Sequence, residues 1–235
     1  MAVHAVVRET WFGLAAGLIT PGRIGEFSLV YFLQDAVDEG DTVAVAILDK
    51  ALTVFVLLAY AAIGTYLYTS ISAVSVIIVS IGFVLITALL AVNPGVQTWL
   101  GNTLSYYGYE TLRDHVIMAF DRLRSLARRP SVIGVNTALT FVKWGLTGAM
   151  FYTLFGGFDV SIPLFDHVIL SSYMTLSSLI PISLSGLGVR ETVGIGLYTA
   201  IFGVSSATTA AVVLLALCIR YAFALGVYTW GVISS

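Results

Sequence analysis

Two short stretches of the chain combine helix-breaking residues with opposite charges inside apolar surroundings. The first is PGRIGE at 21–26, and the second is IPISLSGLGVRE at 180–191. An arginine in the first turn after a break presents a planar guanidinium that matches phosphate or carboxylate oxygens. The free backbone N–H groups and the dipole of the same helix end also attract an anion. These residue types therefore predict anion binding, with Arg23 and Arg190 as contacts.

The breaks depend on prolines and glycines. Proline ends a helix, and glycine lets backbone or ligand approach closely. Lipid offers no hydrogen-bond partner, so irregular backbone at membrane depth survives only inside protein or beside a water-filled cavity. The residues that we predict to form the breaks are Pro21, Gly22, Gly25, Pro181, Gly186 and Gly188.

Eight charged residues lie within or beside apolar runs, five basic and three acidic: Arg23, Lys50, Lys143, Arg190, Arg220, Glu26, Asp49 and Glu191. Charges at membrane depth are costly and are usually paired or functional. A surplus of cations favours an anionic ligand. We expect lipid-phosphate contacts from Arg23, Arg190, Lys50 and Arg220. We expect Glu26, Glu191 and Asp49 to balance these cations or to exchange a proton. The alternative is a set of ion pairs that only lock helices together, and Lys143 can snorkel toward the cytoplasm.

The composition requires lipid as the main solvent of the chain. Of 235 residues, 58% are hydrophobic and 10% are charged, with mean hydropathy +0.96. Ordinary soluble domains are about 45–50% apolar and about 25% charged. The sequence predicts an all-α, polytopic membrane protein with one membrane domain over 1–235. The single cysteine, Cys218, excludes an intramolecular disulfide.

Hydropathy and helix breakers divide the chain into long and short helices. Spanning helices need about 20 apolar residues and are predicted at about 42–68, 71–92, 132–156 and 205–233. Shorter segments are predicted at 3–20, 23–36, 163–180 and 189–203. The stretch TLRDHVIMAFDRLRSLARRP places apolar residues at helical spacing, which predicts an amphipathic interfacial helix. Five of the nine arginines lie in it, so the loop 93–130 is predicted to be cytoplasmic. A solvated basic loop and specific headgroup binding both remain open for it.

The two broken segments are parts of a weak internal repeat. In each, a break is followed by an arginine and a glutamate, a short helix, a polar loop and a helix with one cation. Repeat 1 covers about 1–68, connecting helices and the basic segment cover about 71–156, and repeat 2 covers about 163–235. Three spans separate the two broken pairs, and three is odd, so the second pair enters from the opposite face. This predicts inverted repeats of broken or re-entrant helix pairs that meet near the midplane.

The pair PGRIGE and SGLGVRE, each followed by a helix with a mid-membrane cation, resembles the flippase-like transmembrane domain of lysylphosphatidylglycerol synthases and its stand-alone bacterial and archaeal relatives. The matching positions are Pro21, Gly22, Arg23, Gly25, Glu26, Gly186, Gly188, Arg190, Glu191 and Arg220. Lys50 stands where the family usually has an arginine. Family members commonly carry more membrane helices before the first motif, whereas about 20 residues precede Pro21 here. The soluble aminoacyl-transferring domain is absent, so the resemblance implies lipid translocation and not lipid synthesis.

We therefore expect a multi-pass cell-membrane protein that translocates an anionic lipid, either polyprenyl- or dolichyl-phosphate-linked or (aminoacyl-)phosphatidylglycerol. One alternative is an intramembrane enzyme acting on a lipid phosphate. No G-x-S-x-G or H-E-x-x-H motif supports it, and the adjacent Asp166 and His167 are explained by a helix start. Another alternative is a membrane scaffold whose basic helix binds lipid or a partner. We expect no catalytic residue, metal, cofactor or nucleic acid. A homodimer is compatible with the small residues on the helices.

Overall fold

The structure, a computed structural model, describes residues 39–69, 74–75, 78, 81–82, 93–179 and 187–233. In these ranges the chain is helical without strands, which confirms the all-α prediction. The helices are α1 (Glu39–Tyr68), α2 (Pro94–Tyr106), α3 (Glu110–Ala127), α4 (Pro130–Gly156), α5 (Leu164–Ser178), α6 (Val189–Phe202) and α7 (Ser206–Ile233).

Two of the described helices are long and apolar enough to cross a membrane, over Ala44–Tyr68 and Ser206–Val227. They correspond to the predicted spans at 42–68 and 205–233. The predicted helix at 132–156 is confirmed as helix α4, and its crossing of the bilayer stays a prediction. One face of α4 exposes apolar side chains at helical spacing, namely Val135, Leu139, Val142 and Leu146, as lipid contact would require. Most of 71–92 lies outside the described residues.

Helix α5 lies at the centre of the described helices and packs against α1, α4 and α6. Glycines on all three neighbours face it. A Cβ atom at Gly148 would lie 2.8 Å from the backbone nitrogen of Val168, and one at Gly194 would lie 3.0 Å from the sulfur of Met174. On α1, Gly64 lies against Ile169 in the same way. Close approach of backbones through glycine is a common means of helix packing in membranes.

Hydrogen bonds fix the direction in which α5 runs relative to α1. The hydroxyl of Tyr68, at the end of α1, donates to Asp166 at the start of α5. The hydroxyl of Tyr173 donates to the carbonyl of Ala61 at 2.6 Å and lies 2.7 Å from the hydroxyl of Thr65. Residue numbers rise on one helix as they fall on the other, so α1 and α5 are antiparallel.

Helices α5 and α6 form a second antiparallel pair. The ring nitrogen of His167 lies 2.8 Å from the hydroxyl of Tyr198, while Met174 lies against Gly194. The two helices have 15 and 14 residues, which at 1.5 Å per residue is about 22 and 21 Å. Both are shorter than a hydrocarbon core of about 30 Å. After a turn with Gly203 at φ 65°, α7 packs back along α6.

The short helices predicted at 163–180 and 189–203 are confirmed as helices α5 and α6. Those predicted at 3–20 and 23–36 lie outside the described residues. The division into two repeats, their inversion and the re-entrant path of the short helices stay predictions.

The predicted amphipathic helix is confirmed as helix α3. It buries Leu123, leaves most of its charged side chains exposed or half-buried, and packs against α1, α2 and α4. Its location at a membrane interface and the cytoplasmic side of the loop stay predictions.

Candidate functional site

The start of α6 depends on a glycine and a glutamate. Gly188 precedes the helix at φ 85°, in the left-handed region that favours glycine. Its backbone N–H donates to a carboxylate oxygen of Glu191 at 2.6 Å. A carboxylate in the first turn that bonds back to the preceding N–H caps a helix start. Glu191 therefore has a structural role that the sequence analysis, which assigned it to charge balance or proton exchange, did not assign.

Arg190 lies in that same first turn, as predicted, and only 5% of its surface is exposed. Burying a guanidinium away from water is costly unless polar or charged groups surround it. Because the helix dipole makes this end of α6 electropositive, the start of α6 combines a buried cation with a positive helix end. That combination suits an anionic group.

Arg220 lies at about the same depth as Arg190. Arg190 is 12 residues before Phe202, where α6 ends, and Arg220 is 14 residues after Ser206, where α7 begins. At 1.5 Å per residue, they lie about 18 and 21 Å from the turn that joins the two helices. Within the span Ser206–Val227, Arg220 is well inside both ends. The structure thus brings two of the predicted phosphate contacts to one level of neighbouring helices.

The other predicted cation of the described part, Lys50, lies farther along the bundle. Levels along α1 and α6 can be compared through their contacts with α5, those of Tyr68 with Asp166 and of Tyr198 with His167. At 1.5 Å per residue, Lys50 lies roughly 14 Å beyond the level of Arg190. Lys50 and its neighbour Asp49 are half-buried.

Lys143 differs from the buried arginine. It is exposed on α4, and its ammonium lies 5.9 Å from the ring centroid of Trp144. An exposed lysine with an aromatic neighbour fits the predicted snorkelling side chain better than a ligand contact.

One polar cluster was missed by the sequence analysis. His167 is completely buried, stacks on Phe155 at 5.2 Å, and shares a hydrogen bond with Tyr198, which is also completely buried. The neighbouring Asp166 lies in the first turn of α5, as the helix-start explanation requires, and accepts a hydrogen bond from Tyr68. These contacts join α1, α5 and α6 at the end of the bundle opposite to Lys50. No group of metal-binding side chains occurs in the described ranges.

Seven of the predicted site residues lie outside the described residues: Pro21, Gly22, Arg23, Gly25, Glu26, Pro181 and Gly186. Their convergence with the start of α6 stays a prediction.

Comparison with known proteins gives one result. No curated protein and no solved structure matches the chain. The family model described as "Lysylphosphatidylglycerol synthase TM region" matches residues 2–227, almost the whole chain, and confirms the resemblance carried by the two broken motifs. Membership indicates a membrane protein with a function related to membrane lipids. The chain belongs to the family of the lysylphosphatidylglycerol synthase transmembrane region.

Proposed function

We propose that the protein translocates an anionic lipid across the bilayer and that Arg190 and Arg220 contact the lipid phosphate. The observation that carries this proposal is the pairing of a buried arginine at a helix start with a second arginine at the same depth of the next helix. Membership of a family named after lysylphosphatidylglycerol synthesis supports a lipid as the guest.

The short helices supply the path for the headgroup in this proposal. Helices α5 and α6 are each too short to cross the hydrocarbon core, and they pack antiparallel. In this proposal the pair enters and leaves on one face, so that the end of α5 and the start of α6 lie at depth. The start of α6, with the buried guanidinium of Arg190, then faces the path of the headgroup.

Lys50 is the second cationic position along this path, roughly 14 Å from the level of Arg190. A phosphate that moves from one cation to the other would cover about half of a hydrocarbon core of about 30 Å. The predicted inverted repeat adds Arg23 and Glu26 of the first break, which lie outside the described residues, as further proposed contacts. Transport is then downhill or coupled to an ion, since the sequence has no phosphate-binding loop of the Walker type.

The guest is an amphiphile with a phosphate, either polyprenyl- or dolichyl-phosphate-linked or (aminoacyl-)phosphatidylglycerol. An arginine fork binds phosphate oxygens in all of these.

The test uses the full chain in phosphatidylcholine vesicles with a trace of fluorescent phosphatidylglycerol. Reduction of the dye in the outer leaflet by dithionite follows translocation. Hydrogen bonds to charged groups contribute about 1.5–3 kcal/mol, so Arg190→Ala and Arg220→Ala are each expected to slow translocation by about 10-fold to 150-fold. Lys143→Ala is the matched control, because it removes an exposed cation from a spanning-length helix, and it is expected to retain the parent rate.

Translocation at the parent rate by both arginine variants would refute the assigned contacts. Chemical conversion of the labelled lipid, detected by mass spectrometry, would favour the intramembrane enzyme instead. Thermal unfolding of each variant in detergent separates a loss of transport from a loss of folding.

A further inference from the structure

A second cationic surface lies on α3, away from the buried arginine. Residues 121–129 contain four arginines and one aspartate. They directly precede Pro130, where α4 begins. Phe155 of α4 contacts Tyr198 of α6. Residue 147 and Arg190 each lie eight residues earlier on these helices, so they are at the same level. Pro130 is 17 residues earlier on α4, which corresponds to about 25 Å.

The acidic residues of α3 are already engaged by neighbouring arginines. Arg113 lies 3.3 Å from Glu110 and 3.7 Å from Asp114, and Arg124 lies 3.5 Å from Asp121. The excess of positive over negative charge is therefore at the C-terminal end of the helix. The arginines there that are exposed are Arg122, Arg128 and Arg129.

The hairpin that α3 forms with α2 also exposes large amphipathic aromatic side chains. Trp99 is 65% exposed, and the turn between the helices exposes Tyr106, Tyr107 and Tyr109. Gln97 holds the two helices together by donating to the carbonyl of Ile117 at 3.3 Å and to Asp121 at 3.2 Å. Tryptophan and tyrosine concentrate where a protein meets lipid headgroups. Both classes of side chain in this hairpin therefore match the chemistry of a bilayer surface.

We propose that the C-terminal end of α3, through Arg122, Arg128 and Arg129, binds the phosphates of anionic phospholipids in the adjoining leaflet. Charge complementarity selects this occupant, because basic side chains next to a membrane helix are attracted to an anionic leaflet. The surface is separate from the Arg190 and Arg220 level and does not depend on translocation. It concentrates anionic lipid around the protein.

The test measures lipid selectivity beside α3 in the full chain. The native cysteine is replaced by Cys218→Ser, and Ser125→Cys provides one labelling position for a bimane fluorophore on the exposed face of α3. Two sets of phosphatidylcholine vesicles are prepared, one with a small fraction of spin-labelled phosphatidylglycerol and one with the same fraction of spin-labelled phosphatidylcholine. The quenching of the fluorophore is compared between the two sets. A single basic side chain near an anionic surface contributes about fivefold in affinity. Stronger quenching by phosphatidylglycerol is expected, and Arg128→Gln with Arg129→Gln should reduce the preference by at least fivefold.

Arg113→Gln is the control for Arg128→Gln alone, since each removes one positive charge and Arg113 lies between two carboxylates. It is expected to keep most of the preference, as is Arg190→Ala. Equal quenching by the two lipids in the parent would overturn the proposal. So would an equal loss of preference in Arg113→Gln and in Arg128→Gln, because the effect would then be general and not local. Retention of the preference by Arg190→Ala when translocation is lost would show that the surface works independently of the proposed transport site.

Discussion

Replacement of Gly148 by alanine is expected to destabilise the protein, although alanine is the better helix former. Gly148 lies where α4 touches α5, and an added Cβ would lie 2.8 and 2.9 Å from the backbone N and Cα of Val168. A backbone cannot rotate away as a flexible side chain can, so the two helices must separate. Overpacking of this kind typically costs about 1–3 kcal/mol.

Gly145 is the matched control on the same helix. A Cβ at Gly145 meets nothing within 4 Å, so Gly145→Ala is expected to gain the usual advantage of alanine over glycine in a helix, about 0.5–1 kcal/mol. The two single-methyl substitutions, three residues apart, should therefore differ in sign. For a chain of this size, about 1 kcal/mol corresponds to about 2–4 °C in the unfolding temperature. Gly148→Ala should accordingly unfold about 2–12 °C below the parent, less the small helix gain.

The measurement is thermal unfolding in detergent, followed by tryptophan fluorescence, with parent, Gly145→Ala and Gly148→Ala prepared in parallel. Equal unfolding temperatures for the two variants would refute the close packing of α4 on α5. A more stable Gly148→Ala would do so more strongly.

Three further results are expected. Tyr198→Phe removes the hydrogen-bond partner of a completely buried imidazole and should cost about 1–3 kcal/mol in unfolding free energy, whereas Tyr152→Phe, on an exposed ring, should change stability little in the same thermal melts. Glu191→Ala removes the acceptor at the start of α6 and should cost about 0.5–2 kcal/mol; hydrogen exchange of the first amides of α6 should rise, and unchanged exchange would contradict the capping role. The hydroxyl of Ser105 and, to a smaller extent, the guanidinium of Arg113 lower the pKa of Glu110 below its ordinary value of 4.5. The ionised carboxylate therefore stabilises the fold above pH 4.5, and this contribution is lost as the pH falls through the lowered pKa. Ser105→Ala should move that pKa upward in a carbon-13 NMR titration of the glutamate carboxyls, and an unchanged titration would show that the hydroxyl is not responsible.

Long apolar runs made several helices predictable, because only helices satisfy backbone groups in lipid without a closed barrel. The start of α6 was predicted from the proline and glycines that precede it, which interrupt a helix whatever its neighbours are, but the capping bond of Glu191 was not. Arg190 follows from the same local pattern.

Contacts between helices were not predictable in the same way. His167 and Tyr198 are 31 residues apart, and their hydrogen bond exists only because α5 and α6 pack antiparallel in one particular register. Gly145 and Gly148 lie in similar apolar sequence, and nothing local distinguishes the one that touches α5 from the one that does not. The adjacent Asp166 and His167 correctly predicted a helix start. They did not predict that aromatic rings surround the imidazole.

The hydrogen bonds that connect α5 to its neighbours have a mechanical consequence. In the described part of the chain, side-chain hydrogen bonds from α5 to α1 and α6 are made by Asp166, His167 and Tyr173, all in its first ten residues. Toward its other end, the hydroxyls of Thr175 and Ser178 donate to carbonyls of α5 itself. The first ten residues of α5 therefore tie two neighbouring helices to one segment, so a substitution there disturbs α1 and α6 together.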